Sequence, residues 1–344
     1  MTKAIALYSG GLDSTLAILA VMKQGIEVKA VTFLNHFGCD ISDKSSCSKD
    51  PFAAAAKFGF EVKLSHLSEK FIAIVKQPKF GHGKNMNPCM DCRILMIREA
   101  REFMEMTGAD FIITGEVIGQ RPMSQRRDAL DIIDRETRLR GYILRPLSAK
   151  LLKPTVPEMN GLVNRDLLYG FGGRTRKPQL ALAAEFGLTD YPAPASGCLL
   201  TEPNYSYRLR ELLSYESDPS LEDLNLLRLG RHFRLSAACK VIVGRDEREN
   251  NALEAALGTR GFFLRVEGHA SPITVMRGDV DDRVIRTAAA LCARYSDAKL
   301  LSDVTVKIWS GDHVSALTVT PADKDLIDRY KIERRDTSKV LQKV

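Results

Sequence analysis

The first 114 residues alternate between short apolar runs and stretches whose apolar positions recur at helical spacing. The runs predict four strands, at Ala4–Tyr8, Val28–Phe33, Phe60–Leu64 and Asp110–Thr114. The stretches between them predict three helices, at Ser14–Lys23, Phe52–Phe58 and Asp91–Met106. Strands that alternate with helices are typical of a parallel sheet with helices on both faces, so an α/β fold is expected here.

Three segments are expected to meet at one edge of that sheet. The carboxyl ends of parallel strands lie at the same edge, and ligands bind beyond it. The segments are the turn Ser9–Ser14, the region after Phe33, and Gly115–Gln120, and Thr32 and Phe33 are expected to contact the bound cofactor. We expect them to line one binding pocket.

A different pattern follows the Pro-rich stretch Tyr191–Cys198. Helices are predicted at Arg208–Leu213, Leu221–Leu229 and Thr287–Tyr295, and strands at Lys240–Val243, Phe262–Val266 and Val304–Ile308. The chain of 344 residues is long enough for two cores. We predict an α/β domain over residues 1–200 and a smaller α+β domain over residues 201–344.

Charge and cysteine content narrow the class of protein. The net charge is +7, and residues 1–200 hold 27 basic against 21 acidic residues, with a dense basic run from Arg121 to Lys153. This excess favours a polyanionic partner. No apolar stretch reaches the roughly 20 residues of a membrane span, and the N-terminus does not resemble a signal peptide. Seven cysteines, an odd number, favour a reducing compartment. A cytoplasmic protein without a membrane association is expected.

The turn Ser9-Gly-Gly-Leu-Asp-Ser14 stands between a strand and a helix, where phosphates bind. Glycines let backbone N–H groups approach an anion, and the helix N-terminus adds unpaired donors. No Gly-Lys-Ser/Thr ending follows, so this is not the loop of kinases and GTPases. The turn resembles the Ser-Gly-Gly-x-Asp-Ser signature of the PP-loop ATP pyrophosphatases. The resemblance implies that ATP is the cofactor, that Ser9, Gly10, Gly11 and Ser14 hold its pyrophosphate, and that Asp13 serves Mg²⁺ or catalysis.

Three cysteines are candidates for chemistry. Cys89 and Cys92 stand three residues apart at a helix start, where the helix dipole is expected to lower the thiol pKa, and Cys198 ends the first domain. They could bind a 4Fe-4S cluster with one open iron, or act as a persulfide carrier with a resolving thiol, or contribute to a zinc site. We expect the cluster. Four further cysteines are expected to have no such role, and two of them to pack in a core: Cys39, Cys47, Cys239 and Cys292.

Two subfamilies of PP-loop enzymes share further motifs with this chain. The segment Ile113–Gln120 is similar to the Thr-Gly-Glu-x-x-Gly-Gln motif of the tRNA 4-thiouridine synthetases, which implies that Gly115 and Gln120 line the nucleotide pocket. Asn87–Cys92, with Cys198 about a hundred residues later, resembles the tRNA 2-thiouridylases. Downstream, Val241–Asn251, Ser271–Arg277 and Thr287–Ala298 resemble the NFACT-R module, which implies RNA binding. The 4-thiouridine synthetases carry a THUMP region before the loop, and because the loop starts at Ser9 we expect this chain to lack that region.

These resemblances imply an ATP-dependent, AMP-forming tRNA sulfurtransferase. The uridine carbonyl would be adenylated with loss of pyrophosphate, and sulfur would replace its oxygen, with 4-thiouridine slightly favoured over 2-thiouridine. Asp13, Cys89, Cys92 and Cys198 are the expected catalytic residues, and Arg145, Arg174 and Lys177 are candidates near the α-phosphate. The expected partners are tRNA, a sulfur donor (a cysteine desulfurase or inorganic sulfide) and, as one option, a second copy of the chain. A PP-loop amidotransferase or ligase and a ribosome-associated RNA-binding factor remain as alternatives.

Overall fold

The computed structural model describes residues 1–38, 51–192 and 198–333. They divide into two compact units, Met1–Thr201 and Glu202–Val344. Among the described residues, no helix is both long enough and apolar enough to cross a membrane.

The first unit is built on a parallel sheet of five strands in the order β3-β2-β1-β4-β5. The strands are β1 Lys3–Leu7, β2 Glu27–Leu34, β3 Glu61–His66, β4 Phe111–Thr114 and β5 Ile143–Leu144. The helices are α1 Leu12–Met22, α2 Pro51–Phe58, α3 Ser68–Lys76, α4 Cys89–Thr107, α5 Arg127–Glu136, α6 Val156–Met159 and α7 Lys177–Glu185. The predicted α/β fold is confirmed.

Alternating side chains of β1 enter two different cores. Ala4 and Ala6 pack with α1 and α7 on one face of the sheet, whereas Ile5 and Leu7 pack with α4 and α5 on the other. A strand buried on both faces reads as a continuous apolar run, which is why the sequence predicts it well. Helix α1 is buried from Leu12 to Val21 with one partial gap at Asp13. This burial fixes the position of the turn at the helix N-terminus.

The second unit is built on an antiparallel sheet of six strands in the order β11-β10-β8-β9-β7-β6. The strands are β6 Arg231–Ser236, β7 Cys239–Val243, β8 Phe262–Val266, β9 Thr274–Gly278, β10 Val304–Ser310 and β11 His313–Val319. The helices are α8 Pro203–Tyr215, α9 Leu221–Leu226, α10 Glu247–Leu257, α11 Asp282–Arg294 and α12 Lys324–Tyr330. Helix α11 covers one face of the sheet, and α9 and α10 cover part of the other. The α+β architecture is as predicted.

Candidate active site

The turn between β1 and α1 leaves backbone amides available to an anion. Gly10 has a φ of +72°, a conformation that favours glycine, and Gly11 is the N-cap of α1 without a capping side chain. The Ser14 hydroxyl donates to the Gly11 carbonyl at 2.9 Å, and the Ser9 N–H donates to Ser14 Oγ at 3.3 Å. Because first-turn N–H groups have no partner within the helix, the turn suits a phosphate group.

Gly115 lies directly against this turn. A Cβ atom at Gly115 would stand 2.6 Å from both Cα and N of Ser14, which is closer than such atoms approach. Any other residue at this position would push the end of β4 away from α1. The structure therefore brings the predicted site residue Gly115 to the phosphate loop, where only glycine fits.

Asp13 is held by a chain of two amide side chains. Gln120 Nε2 donates to Asp13 Oδ2 at 2.8 Å, and Gln179 Nε2 donates to Gln120 Oε1 at 3.2 Å. Gln179, on α7, is fully buried. Sequence reasoning missed it, because it lies 59 residues from Gln120 in no motif. The other oxygen, Asp13 Oδ1, is buried without a hydrogen-bond partner among the described residues, as expected of an oxygen that faces a cation.

Thr32 and Phe33 lie near the carboxyl end of β2, the strand beside β1. Thr32 is buried, and its hydroxyl has no hydrogen-bond partner within the described residues, whereas Phe33 is half-buried against a core. Both residues therefore lie toward the same sheet edge as the phosphate loop.

The three predicted cysteines come together in the first unit. Cys89 is the first residue of α4, and Cys92 lies one turn later on the same face. Cys198 comes from a distant segment, and two hydrogen bonds tie the two segments: Asn85 Nδ2 donates to the Thr201 carbonyl at 2.8 Å, and the Met86 N–H donates to the Leu200 carbonyl at 3.1 Å. The thiols are close enough that each of Cys89 and Cys198 raises the pKa of Cys92.

Burial dominates the acidity of these thiols. It raises the pKa of all three, and that of Cys92 to about 12. The helix start was expected to lower these pKa values, and that expectation is wrong because desolvation of the thiolate outweighs the helix dipole. Arg121 and Arg93 oppose the shift at Cys89. Cys89 thus has two nearby cations, and Arg93 stands four residues after it, on the same face of α4.

The described residues fit the two predicted metal groups to different degrees. Three thiols match a 4Fe-4S cluster in number, but no group of three His, Cys, Asp or Glu side chains in the described ranges is placed to hold a metal ion. The 4Fe-4S site therefore stays a prediction. For Mg²⁺, Asp13 Oδ1 is a suitable ligand, since it is a buried carboxylate oxygen without a hydrogen-bond partner in the part of the chain that the structure describes.

A buried charge network supports the segment after β4. Glu116 is 2% exposed, accepts a hydrogen bond from Arg145 Nε at 2.9 Å and pairs with Arg93 Nε at 3.1 Å. Arg145 also makes two hydrogen bonds to Asp134, at 2.7 and 3.0 Å. Although burial opposes it, Arg93 and Arg145 lower the pKa of Glu116. Arg93 therefore joins the face of α4 that carries Cys89 and Cys92 to the segment that carries Gly115.

The structure corrects one expected role in the basic run. Arg145 is 4% exposed and fully engaged by Glu116 and Asp134, so it cannot reach a phosphate. Eight other basic residues of the run are exposed: Arg121, Arg126, Arg127, Arg135, Arg138, Arg140, Lys150 and Lys153. Outside the run, Arg174 and Lys177, the other two candidates for the α-phosphate, are exposed near the start of α7.

Two of the remaining cysteines have the predicted role. Cys239 and Cys292 are fully buried in the core of the second unit, which confirms that they are packing residues. Cys39 and Cys47 lie outside the described residues.

The Gly-Arg-Asp motif of the second unit holds α10 to the sheet. Asp246 caps α10 by accepting from the Glu249 N–H at 2.9 Å, and Arg245 Nε donates to Glu249 Oε1 at 2.9 Å. Asn250 Oδ1 accepts from the Ile273 N–H at 3.0 Å, and a Cβ at Gly244 would meet that oxygen. These residues therefore have a structural role.

Two family models match the chain. The model described as thiamine biosynthesis protein (ThiI) matches residues 1–151, and the model described as NFACT protein RNA binding domain matches residues 230–331. Residues 1–151 therefore carry a ThiI-family domain. The predicted resemblances to PP-loop thiolation enzymes and to the NFACT-R module are confirmed at this level.

Named relatives agree with the first match. The chain is 27% identical over 233 residues to the tRNA-specific 2-thiouridylase MnmA of Herpetosiphon aurantiacus, covering 61% of this chain and 59% of the relative. It is 31% identical to a Lysinibacillus sphaericus protein named "Probable tRNA sulfurtransferase", covering 42% and 34%. The chain thus spans about a third to three fifths of the length of these relatives.

Solved structures give weaker matches. A 4-thiouridine synthetase–RNA complex with bound ATP is 21% identical, with coverage of 55% of this chain and 54% of the other, at a TM-score of 0.35. The C-terminal part of a fibronectin/fibrinogen-binding protein from Streptococcus suis is 18% identical, with coverage of 38% and 66%, at a TM-score of 0.27.

Proposed function

We propose that the protein is an ATP-dependent tRNA sulfurtransferase that replaces a uridine carbonyl oxygen by sulfur. The main support is the connection between the phosphate loop and the thiols. Gln120 donates a hydrogen bond to Asp13, and the next residue, Arg121, lowers the pKa of Cys89. The phosphate loop and the thiols are thus linked through two consecutive residues. The match of residues 1–151 to the ThiI family and the names of the relatives support it.

The first step activates a poor leaving group. The uridine oxygen attacks the α-phosphorus of ATP, the bond to the β-phosphate oxygen breaks, and pyrophosphate leaves. Ser9–Ser14 holds the pyrophosphate with backbone N–H groups, and Asp13 Oδ1, buried without a partner among the described residues, would hold Mg²⁺, which would supply positive charge against the phosphates. Gln120 and Gln179 keep Asp13 in place. Thr32, Phe33 and Gly115 complete the nucleotide pocket.

The second step delivers sulfur. We assign the persulfide to Cys89, because Arg93 and Arg121 favour its anionic form. The terminal sulfur of the persulfide attacks the activated carbon, and AMP leaves with the former uridine oxygen. The Cys198 thiolate then attacks Sγ of Cys89, the sulfur–sulfur bond breaks toward the new thiocarbonyl, and a Cys89–Cys198 disulfide remains. A cysteine desulfurase reloads Cys89 after a thiol reductant has opened the disulfide.

The second unit is proposed to bind RNA, because residues 230–331 match the NFACT RNA-binding domain. We propose carbon 4 of the uridine ring as the modified position, because the Thr-Gly-Glu-x-x-Gly-Gln segment that ends at Gln120 resembles the 4-thiouridine synthetases. Carbon 2 is the second candidate, because the cysteine spacing resembles the 2-thiouridylases and several relatives bear that name. Mass spectrometry of tRNA nucleosides from a deletion strain separates the two products.

The adenylation step is tested by Asp13→Ala. Pyrophosphate release and thionucleoside yield are expected to fall together, by about a hundredfold, since the cation ligand is lost. The matched control is Asp166→Ala, which removes an exposed carboxylate from the same unit. An unchanged yield in Asp13→Ala would rule the adenylation step out.

Sulfur delivery is tested by a Cys89/Cys92/Cys198→Ser triple variant. It is expected to release pyrophosphate with tRNA but to form no thionucleoside. Pyrophosphate release that persists without the thiols, together with no thionucleoside from the unchanged protein either, would instead indicate an amidotransferase or ligase. Stoichiometric iron with the visible absorbance of an iron–sulfur cluster, in protein purified without oxygen, would replace the persulfide by the predicted 4Fe-4S site.

A further inference from the structure

The antiparallel sheet of the second unit has an open region on the face that lies opposite α11. Alternate side chains of β8, β10 and β11 point to this face, and α9 and α10 reach only part of it. We define the open face by six of its residues: Arg265, Thr305, Lys307, Trp309, Val314 and Ala316.

Two cations stand directly opposite each other on the open face. Lys307 of β10 pairs with Arg265 of β8 in the antiparallel register, and both side chains are exposed. Neither makes an ion pair or a side-chain hydrogen bond with any residue in the described ranges. Like charges at directly opposed positions destabilise a sheet. Glu267, two residues after Arg265, is an acidic residue close to the pair in sequence. One carboxylate against two cations leaves an excess of positive charge.

An aromatic surface adjoins these cations. Trp309, half-buried, is stacked on Phe263 with ring centroids 5.4 Å apart, and Lys307 Nζ lies 6.0 Å from the Trp309 ring centroid. Val314, which is directly opposite Trp309 on β11, is 62% exposed. Proteins that bind single-stranded nucleic acids combine cations with aromatic rings, because the phosphates pair with the cations and the bases stack on the rings.

We infer that the open face binds single-stranded RNA, with Arg265 and Lys307 on successive phosphates and a base against Trp309 and Val314. This inference rests on the proposed RNA-binding role of the second unit and names its contact surface. A duplex fits less well, because its bases are stacked inside and cannot reach Trp309. Phosphate contacts supply most of the affinity, and the stacked base distinguishes a single strand from other polyanions.

The experiment uses the full chain, whose single tryptophan is Trp309. An oligouridylate of about ten nucleotides is titrated while intrinsic tryptophan fluorescence and the anisotropy of a labelled oligonucleotide are both recorded. We expect quenching of Trp309 that follows the anisotropy curve. In the Arg265→Gln/Lys307→Gln variant, affinity should fall about tenfold and the slope of log K against log salt should decrease by about 1.4.

The matched control is Arg283→Gln/Arg286→Gln. It removes two exposed cations from α11, on the other side of the sheet, and should change affinity little. Equal losses in both double variants, or equal competition by heparin or duplex RNA, would overturn the inference in favour of nonspecific charge attraction. Tight RNA binding without quenching and without loss in the Arg265/Lys307 variant would also overturn it, while the RNA-binding role would stand. An absence of RNA binding by the full chain would overturn both.

Discussion

Arg145, which follows β5 of the first sheet, and the Arg265–Lys307 pair in the second sheet show opposite uses of positive charge. Arg145 is buried between two carboxylates and has every part of its guanidinium engaged by them. Arg265 and Lys307 face solvent beside each other without an acidic partner in the described ranges. A paired buried charge fixes geometry, whereas an unpaired exposed charge stays available for a ligand. Burial and pairing, rather than residue type, therefore separate structural cations from binding ones.

The largest expected effect is on the buried side of this comparison. Arg145→Leu leaves Glu116 and Asp134 without their shared cation, so the free energy of unfolding should fall by about 3–5 kcal/mol. Urea unfolding followed by circular dichroism measures it. Arg140→Leu is the control, since its ion pair with Asp131 is exposed and should contribute less than about 1 kcal/mol. Similar losses in both variants would remove the contrast.

The next effect concerns the contact that Glu116 helps to position. Gly115→Ala places a Cβ against the backbone of Ser14, so the phosphate loop must shift and ATP affinity should fall about tenfold. Isothermal titration with ATP and Mg²⁺ measures it. Gly170→Ala is the control, because a Cβ there meets its nearest neighbour at 3.4 Å. Unchanged affinity in Gly115→Ala would show that the loop has room to adapt.

The third prediction concerns Arg121, an exposed cation of the first unit, and tests whether its charge acts on the thiol of Cys89. Arg121→Gln removes a charge that lowers the pKa of Cys89, so this pKa should rise and the fraction of thiolate at pH 8 should fall. Alkylation of Cys89 by iodoacetamide, followed by peptide mass spectrometry, should slow about twofold. Arg126→Gln, an exposed neighbour paired with Asp128, should leave the rate unchanged. An unchanged alkylation rate of Cys89 in Arg121→Gln would show that Arg121 does not act on this thiol.

The smallest effect has the opposite sign to the first. Lys307→Thr relieves the repulsion with Arg265, so the second unit should gain a few tenths of a kcal/mol in stability. Urea midpoints at low and high salt measure it, and the gain should shrink with salt because exposed charges are screened. A loss of stability would show that Lys307 stabilises the fold, and the contrast with the buried Arg145 would no longer hold.

Local patterns in the sequence were sufficient for part of this picture. The turn Ser9–Ser14 and the strands beside it were predictable because anion binding there depends on consecutive residues and on continuous apolar runs. Gln179 was not predictable, since its contact with Gln120 joins distant segments. Arg145 was misassigned because a basic residue near a motif looks the same in sequence whether it is paired or free. The opposition of Arg265 and Lys307 depends on strand register, which requires the structure.

The close fit of Gly115 against Ser14 has a mechanical consequence. The two backbones leave no space for a side chain between them, so the segment after β4 cannot move toward the start of α1 without displacing it. A substrate that displaces the segment beyond β4 would also displace the amides that hold the nucleotide. Under the proposed function, binding of the RNA base and binding of ATP would therefore be coupled through the backbone contact between Gly115 and Ser14.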